Sequence, residues 1–127
     1  MVFHQLRTQV FLQVYIYALA HFKQNIMENI SKEKWKKLVL ENKDAVVIDV
    51  RTPDECLEGM LPNAKQIDFM SLSDFLYEVN QLDKSKAYFL YCRSGNRSGQ
   101  ACRYMKESGF NTYNLIGGML DWDGDIV

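Results

Sequence analysis

Hydrophobic positions along the chain fall into two kinds of block. Continuous apolar runs at residues 45–50 and 87–91 have the length and the unbroken character of strands covered on both faces of a sheet. Between them lie stretches with helical spacing. Leu72, Phe75, Leu76 and Val79 mark a helix over residues 71–80 that reaches the core, and Ala101, Tyr104, Met105 and Ser108 define one face of a helix over 99–108 capped by Gly109. Ser31 is a suitable N-cap for a helix through Leu40 that carries Trp35, Leu38 and Val39 on one side, with Trp35 expected in the core. Short strands are predicted at 28–30, 65–68 and 111–115, and a short helix at 54–57 opened by Thr52 and Pro53 and ended by Gly59. Strands that alternate with helices call for an α/β fold with a parallel sheet and right-handed crossovers.

The first 26 residues do not fit this alternation. Residues 10–20 are mostly apolar, follow Arg7 and end in Ala18, Leu19 and Ala20. Three readings are open for residues 1–26: an export signal, a helix that docks on the domain or a partner, and an upstream segment ahead of a start at Met27. Phe3, Leu6, Val10, Val14 and Tyr17 recur at helical spacing, as docking requires, and the run is too short for a stable membrane span. The remainder, 27–127, reads as one domain.

Composition narrows the classes. With 47% hydrophobic and 24% charged residues the chain is neither disordered nor fibrous, and a formal net charge of −1 excludes a general nucleic-acid binder. Attraction for an anion must therefore be local. The cysteines, Cys56, Cys92 and Cys102, are widely spaced and odd in number, which suits neither a metal site nor a disulfide framework. Both histidines, His4 and His21, lie in the N-terminal extension. Cysteine chemistry in the domain must then be activated without an imidazole, with no metal and no cofactor implied. A thiol that must stay reduced points to the cytoplasm, or to the periplasm if residues 1–20 are an export signal.

One cysteine has surroundings that mark it. Cys92 ends the apolar run 87–91 and opens the loop Arg93, Ser94, Gly95, Asn96, Arg97, Ser98 ahead of a helix, which is where open α/β sheets place their ligands. Gly95 permits a left-handed turn, and Ser94, Asn96 and Ser98 tolerate turn and cap geometry, so that successive N–H groups can form an anion nest. The helix N-terminus and the guanidinium groups of Arg93 and Arg97 add positive charge, and together they make Cys92 a thiolate nucleophile at neutral pH. Asp49 interrupts another apolar run and needs a partner, either Arg51 or a loop arginine; bracing of neighbouring loops by Asp49 and Arg51 is the expected role. Cys56 and Cys102 are expected to be packing residues, although a resolving role for Cys102 is conceivable.

Three segments together resemble a known family. Cys92 to Ser98 is similar to the active-site loop of the rhodanese-like sulfurtransferases; Asp49, Val50, Arg51, Thr52, Pro53, Asp54 and Glu55 resemble its earlier signature; and Leu115 to Trp122, with the pair Gly117 and Gly118, resembles its C-terminal motif. The resemblance spans about residues 27–124 and implies a doubly wound sheet of five mainly parallel strands flanked by helices. It also implies a sulfurtransferase that moves sulfane sulfur from thiosulfate or a persulfide donor, through a Cys92 persulfide, to a thiol, a protein cysteine or cyanide. Arg93 and Arg97 are then assigned to anion attraction and loop bracing, with Arg97 turned more towards support. Met60 stands where the family often has a histidine. Competing readings are a sulfur-carrier or interaction module with little turnover, and a cysteine phosphatase or arsenate reductase. The four residues between Cys92 and Arg97 are one fewer than the phosphatase signature carries, which makes a cradle sized for sulfur.

Overall fold

A computed structural model describes Val2–His21 and residues 25–127. The elements run α1 (Val2–His21), β1 (Met27–Ile30), α2 (Lys32–Glu41), β2 (Ala45–Asp49), α3 (Pro53–Cys56), β3 (Lys65–Gln66), α4 (Leu72–Asn80), β4 (Ala87–Tyr91), α5 (Asn96–Glu107) and β5 (Asn111–Leu115), followed by a 3-10 turn at Gly118–Asp121. The five strands form one sheet in the order β1-β5-β4-β2-β3, and every pairing is parallel. The β4 strand lies at its centre, between β2 and β5, so its C-terminal end opens at the middle of the sheet edge.

Strand alternation sends successive β4 side chains to opposite layers. Tyr88, Leu90 and Cys92 pack with Phe75 and Val79 of α4 and Ala101, Cys102 and Met105 of α5. Phe89 and Tyr91 face the other way, where the Trp35 ring meets them edge-on at 5.4 and 6.3 Å. Both faces are thus covered, as the unbroken apolar runs demand.

Several boundaries differ from the sequence reading. The α5 helix begins at Asn96, not at 99, because Gly95 takes the N-cap position and the next three loop residues wind directly into the first turn. The β3 strand ends at Gln66, and α3 begins at Pro53, where a Thr52–Glu55 capping box closes both ends of the first turn. Leu72, expected to reach the core, sits at the first position of α4 and is 54% exposed. In α1 the expected docking stripe is not buried: Leu6, Val10, Val14 and Tyr17 are each more than half exposed. The helix is apolar around much of its circumference, so no single face is selected. The Phe3 side chain and residues 22–24 lie outside the described residues. Among the described residues no helix is long and apolar enough to cross a membrane.

Candidate active site

Cys92 follows the last residue of β4 and is 1% exposed. The chain then turns sharply at Gly95, which adopts φ +99°, and a Cβ there would stand 3.1 Å from the Leu115 carbonyl oxygen. Only glycine meets both conditions without strain. The turn swings the backbone over the sulfur: the Gly95 N–H donates to Cys92 Sγ at 3.1 Å, and the Ser98 hydroxyl, fully buried, donates to it at 3.3 Å. Gly95 offers no side-chain cap to α5, and the sulfur accepts from the first turn of the helix instead. Burial pushes the Cys92 thiol up. The Ser98 hydroxyl, its N–H and the N–H groups of Gly95 and Ser94 outweigh burial, and the thiol lies below its ordinary value.

The N–H groups of the expected nest carry that balance, together with the Ser98 hydroxyl. The guanidinium groups are not the main stabilisers of the sulfur anion; neutral donors at contact distance are. Arg97 turns aside to Glu55, donating from Nη1 at 2.7 Å and from Nη2 at 2.8 Å to the two carboxylate oxygens. This bidentate pair raises the Arg97 value and holds the Glu55 carboxyl down at about 2. Arg93, Ser94 and Asn96 are exposed on the outer side of the loop.

The loop is clamped from a second side by the C-terminal segment. The Met119 and Leu120 N–H groups donate at 3.0 Å to the carbonyls of Cys92 and Arg93. Gly118, at φ +54°, allows this approach, since a Cβ would lie 2.5 Å from the Cys92 carbonyl oxygen and 2.6 Å from that of Arg93. The close pass expected of the paired glycines is therefore made against the cysteine itself.

Asp49 and Arg51 form a buried pair, with Arg51 Nη2 2.7 Å from Asp49 Oδ2 and Nε within 3.1 Å of both carboxylate oxygens. Both side chains are nearly sealed from solvent, at 0% and 4% exposure. Arg51 also donates to the carbonyls of Glu55 at 3.3 Å and Gly59 at 2.6 Å, which ties β2 to the segment carrying Glu55. Asp49 thus pairs with Arg51 and not with a loop arginine. Met60 is joined through its backbone to Val127, the two residues exchanging N–H donors at 2.8 and 2.9 Å.

Two residues at the site escaped the sequence reading. Glu55 was seen only as part of a motif; its capping-box spacing from Thr52 was legible, but its pairing with Arg97 spans 42 residues and leaves no local trace. Asn114, 4% exposed on β5, donates through Nδ2 to Asn29 Oδ1 at 2.9 Å and to the Gly95 carbonyl at 3.0 Å. It steadies the residue whose N–H faces the sulfur. A polar amide in a buried strand was the available signal. The other cysteines differ from Cys92: burial raises Cys102 to about 12 and Cys56 to about 11.

The family model of the rhodanese-like domain matches residues 31–125, and the chain belongs to that family. YtwF of Bacillus subtilis, named provisionally as a sulfurtransferase, is 38% identical over 78% of this chain and 93% of its own length. A sulfurtransferase of Allochromatium vinosum is 32% identical over 76% of this chain and 89% of its own. The crystal structure of a rhodanese-like domain protein from Staphylococcus aureus superposes with a TM-score of 0.67 at 32% identity, covering 78% of this chain and 94% of that one. These relatives make the chain an enzyme of the rhodanese family of sulfurtransferases.

Proposed function

We propose that the protein transfers sulfane sulfur by double displacement at Cys92. The observation that carries this reading is the set of donors converging on one sulfur atom: the N–H groups of Ser94, Gly95 and Ser98 and the Ser98 hydroxyl favour the anion at the end of β4. In the first half-reaction the thiolate attacks the outer sulfur of the donor. With thiosulfate, the S–S bond of the donor breaks, sulfite leaves with the bonding electron pair, and a Cys92 persulfide anion remains. In the second, the carbon of cyanide or the sulfur of a thiol attacks that outer sulfur, and the Cys92 thiolate is regenerated.

Preorganised N–H groups suit both sulfur anions, so the loop need not rearrange between halves. Arg93, exposed at the loop, attracts the anionic donor, while Arg97 with Glu55, and Arg51 with Asp49, hold the walls. Exposed positions at Ser94 and Asn96 form the rim of the same loop.

The test is turnover. With thiosulfate and cyanide, the wild type should release thiocyanate, and Cys92→Ser should release none. Equal thiocyanate formation by the two proteins would remove Cys92 from the reaction.

A further inference from the structure

We propose that Glu55 is a specificity-determining residue, which sets the Cys92 site in favour of persulfides on neutral or singly charged carriers and against dianionic donors such as thiosulfate. The inference rests on the sulfur-transfer reading and names the donor class it leaves open.

The geometry around Arg97 is what distinguishes the classes. Glu55 spends both carboxylate oxygens on the two terminal nitrogens of Arg97, at 2.7 and 2.8 Å. Its Oε1 is fixed in turn by the Thr52 N–H at 3.2 Å and the Thr52 hydroxyl at 3.1 Å, so the carboxylate is built into the first turn of α3 and cannot swing away cheaply. Glu55 and Arg97 are each about a quarter exposed, at 25% and 23%, so the pair is partly open to solvent and not sealed in the core. Arg97 is close enough to Cys92 for the two charges to interact.

The sequence places two guanidinium groups on a six-residue loop; the structure cancels one of them. The Arg97–Glu55 pair carries no net charge, so a donor seated on Cys92 faces Arg93 as the loop's net cation. A dianion loses most from that cancellation, because it brings the most charge to be balanced. For a persulfide R–S–SH the step balances with little charge on the donor: the Cys92 thiolate attacks the outer sulfur, the S–S bond breaks, R–S⁻ leaves with the electron pair, and Cys92 retains S–SH. The proton then passes to solvent or to the departing thiolate.

The experiment compares rates of sulfur gain on the full chain, by rapid quench and intact mass, from thiosulfate and from the persulfide of 2-mercaptoethanol. Glu55→Gln keeps a residue able to complete the capping box while removing the charge. It should raise the rate constant with thiosulfate by about tenfold, the scale of removing one like charge at a partly screened site, and change that with the persulfide less than about twofold. Glu55→Ala, which also removes the cap, should shift the donor ratio in the same direction; the ratio is read on one preparation and does not depend on the folded fraction. A donor ratio unchanged in both variants, with the wild type loading normally, overturns the role of Glu55 alone. A wild type that gains sulfur from neither donor overturns this inference and the sulfur-transfer reading together.

Discussion

Replacing Ser98 by alanine isolates the strongest side-chain donor to the Cys92 sulfur. The hydroxyl is fully buried and 3.3 Å from Sγ, and alanine removes it without adding volume or touching the Ser98 N–H. A hydrogen bond to a charged group contributes about 1.5–3 kcal/mol, and each pKa unit corresponds to about 1.4 kcal/mol. With the Gly95 N–H still at 3.1 Å, the lower end applies, and the thiol should rise by about one unit. The sign follows directly: the donor favours the anion, so its loss raises the pH at which the thiolate forms. Alkylation of Cys92 by iodoacetamide, followed across pH by peptide mass spectrometry, reads the midpoint. A midpoint that moves by less than about half a unit would mean that the hydroxyl does not stabilise the anion, and that burial and the backbone alone set its value.

Three further outcomes follow from the same contacts. Asp49→Asn leaves the buried Arg51 charge without its counterion and should cost about 3–5 kcal/mol, read as a fall in the urea midpoint; a loss under about 1 kcal/mol would show the pair to be solvated. Gly118→Ala would drive a Cβ into the Cys92 and Arg93 carbonyls, so the clamp must shift and both sulfur loading and melting temperature should drop; unchanged loading would contradict the clamp. Glu55 has its folded value lowered from 4.5 to about 2 by Arg97, so its contribution to stability is complete above about pH 4.5 and is lost as pH falls towards 2. Denaturant titrations of the wild type and Glu55→Gln should therefore converge over that window, and a constant gap would sever the link.

What the chain disclosed about itself was local. The β2 and β4 strands were readable because their residues, Asp49 apart, are apolar, and α4 and α5 because their buried positions recur at helical spacing. The turn that brings N–H groups to the Cys92 sulfur was legible from Gly95 and the capping residues beside it. The Arg97–Glu55 pair and the Asn114–Gly95 contact were not, since each joins residues from separate elements, and no spacing rule connects them. The N–H nest at the sulfur was legible from Gly95, whereas the turn of Arg97 away from it towards Glu55 was not. Arginines are visible in a sequence but their direction is not, whereas the direction of backbone N–H groups follows from Gly95 turning left-handed, with Gly118 letting the C-terminal segment close. The stripe read on α1 is exposed in this chain, and the helix is apolar on several sides, so periodicity there does not single out one face.

The central claim is that one sulfur atom, held at the end of β4, receives and passes on another. Intact and peptide mass spectrometry of the full chain after brief exposure to a sulfane-sulfur donor tests it most directly. The account predicts the gain of a single sulfur on the peptide bearing Cys92, removable by cyanide, with Cys56 and Cys102 unmodified because burial keeps both as neutral thiols. Sulfur carried on Cys56 or Cys102 with Cys92 unchanged, or on none of the three, would contradict it.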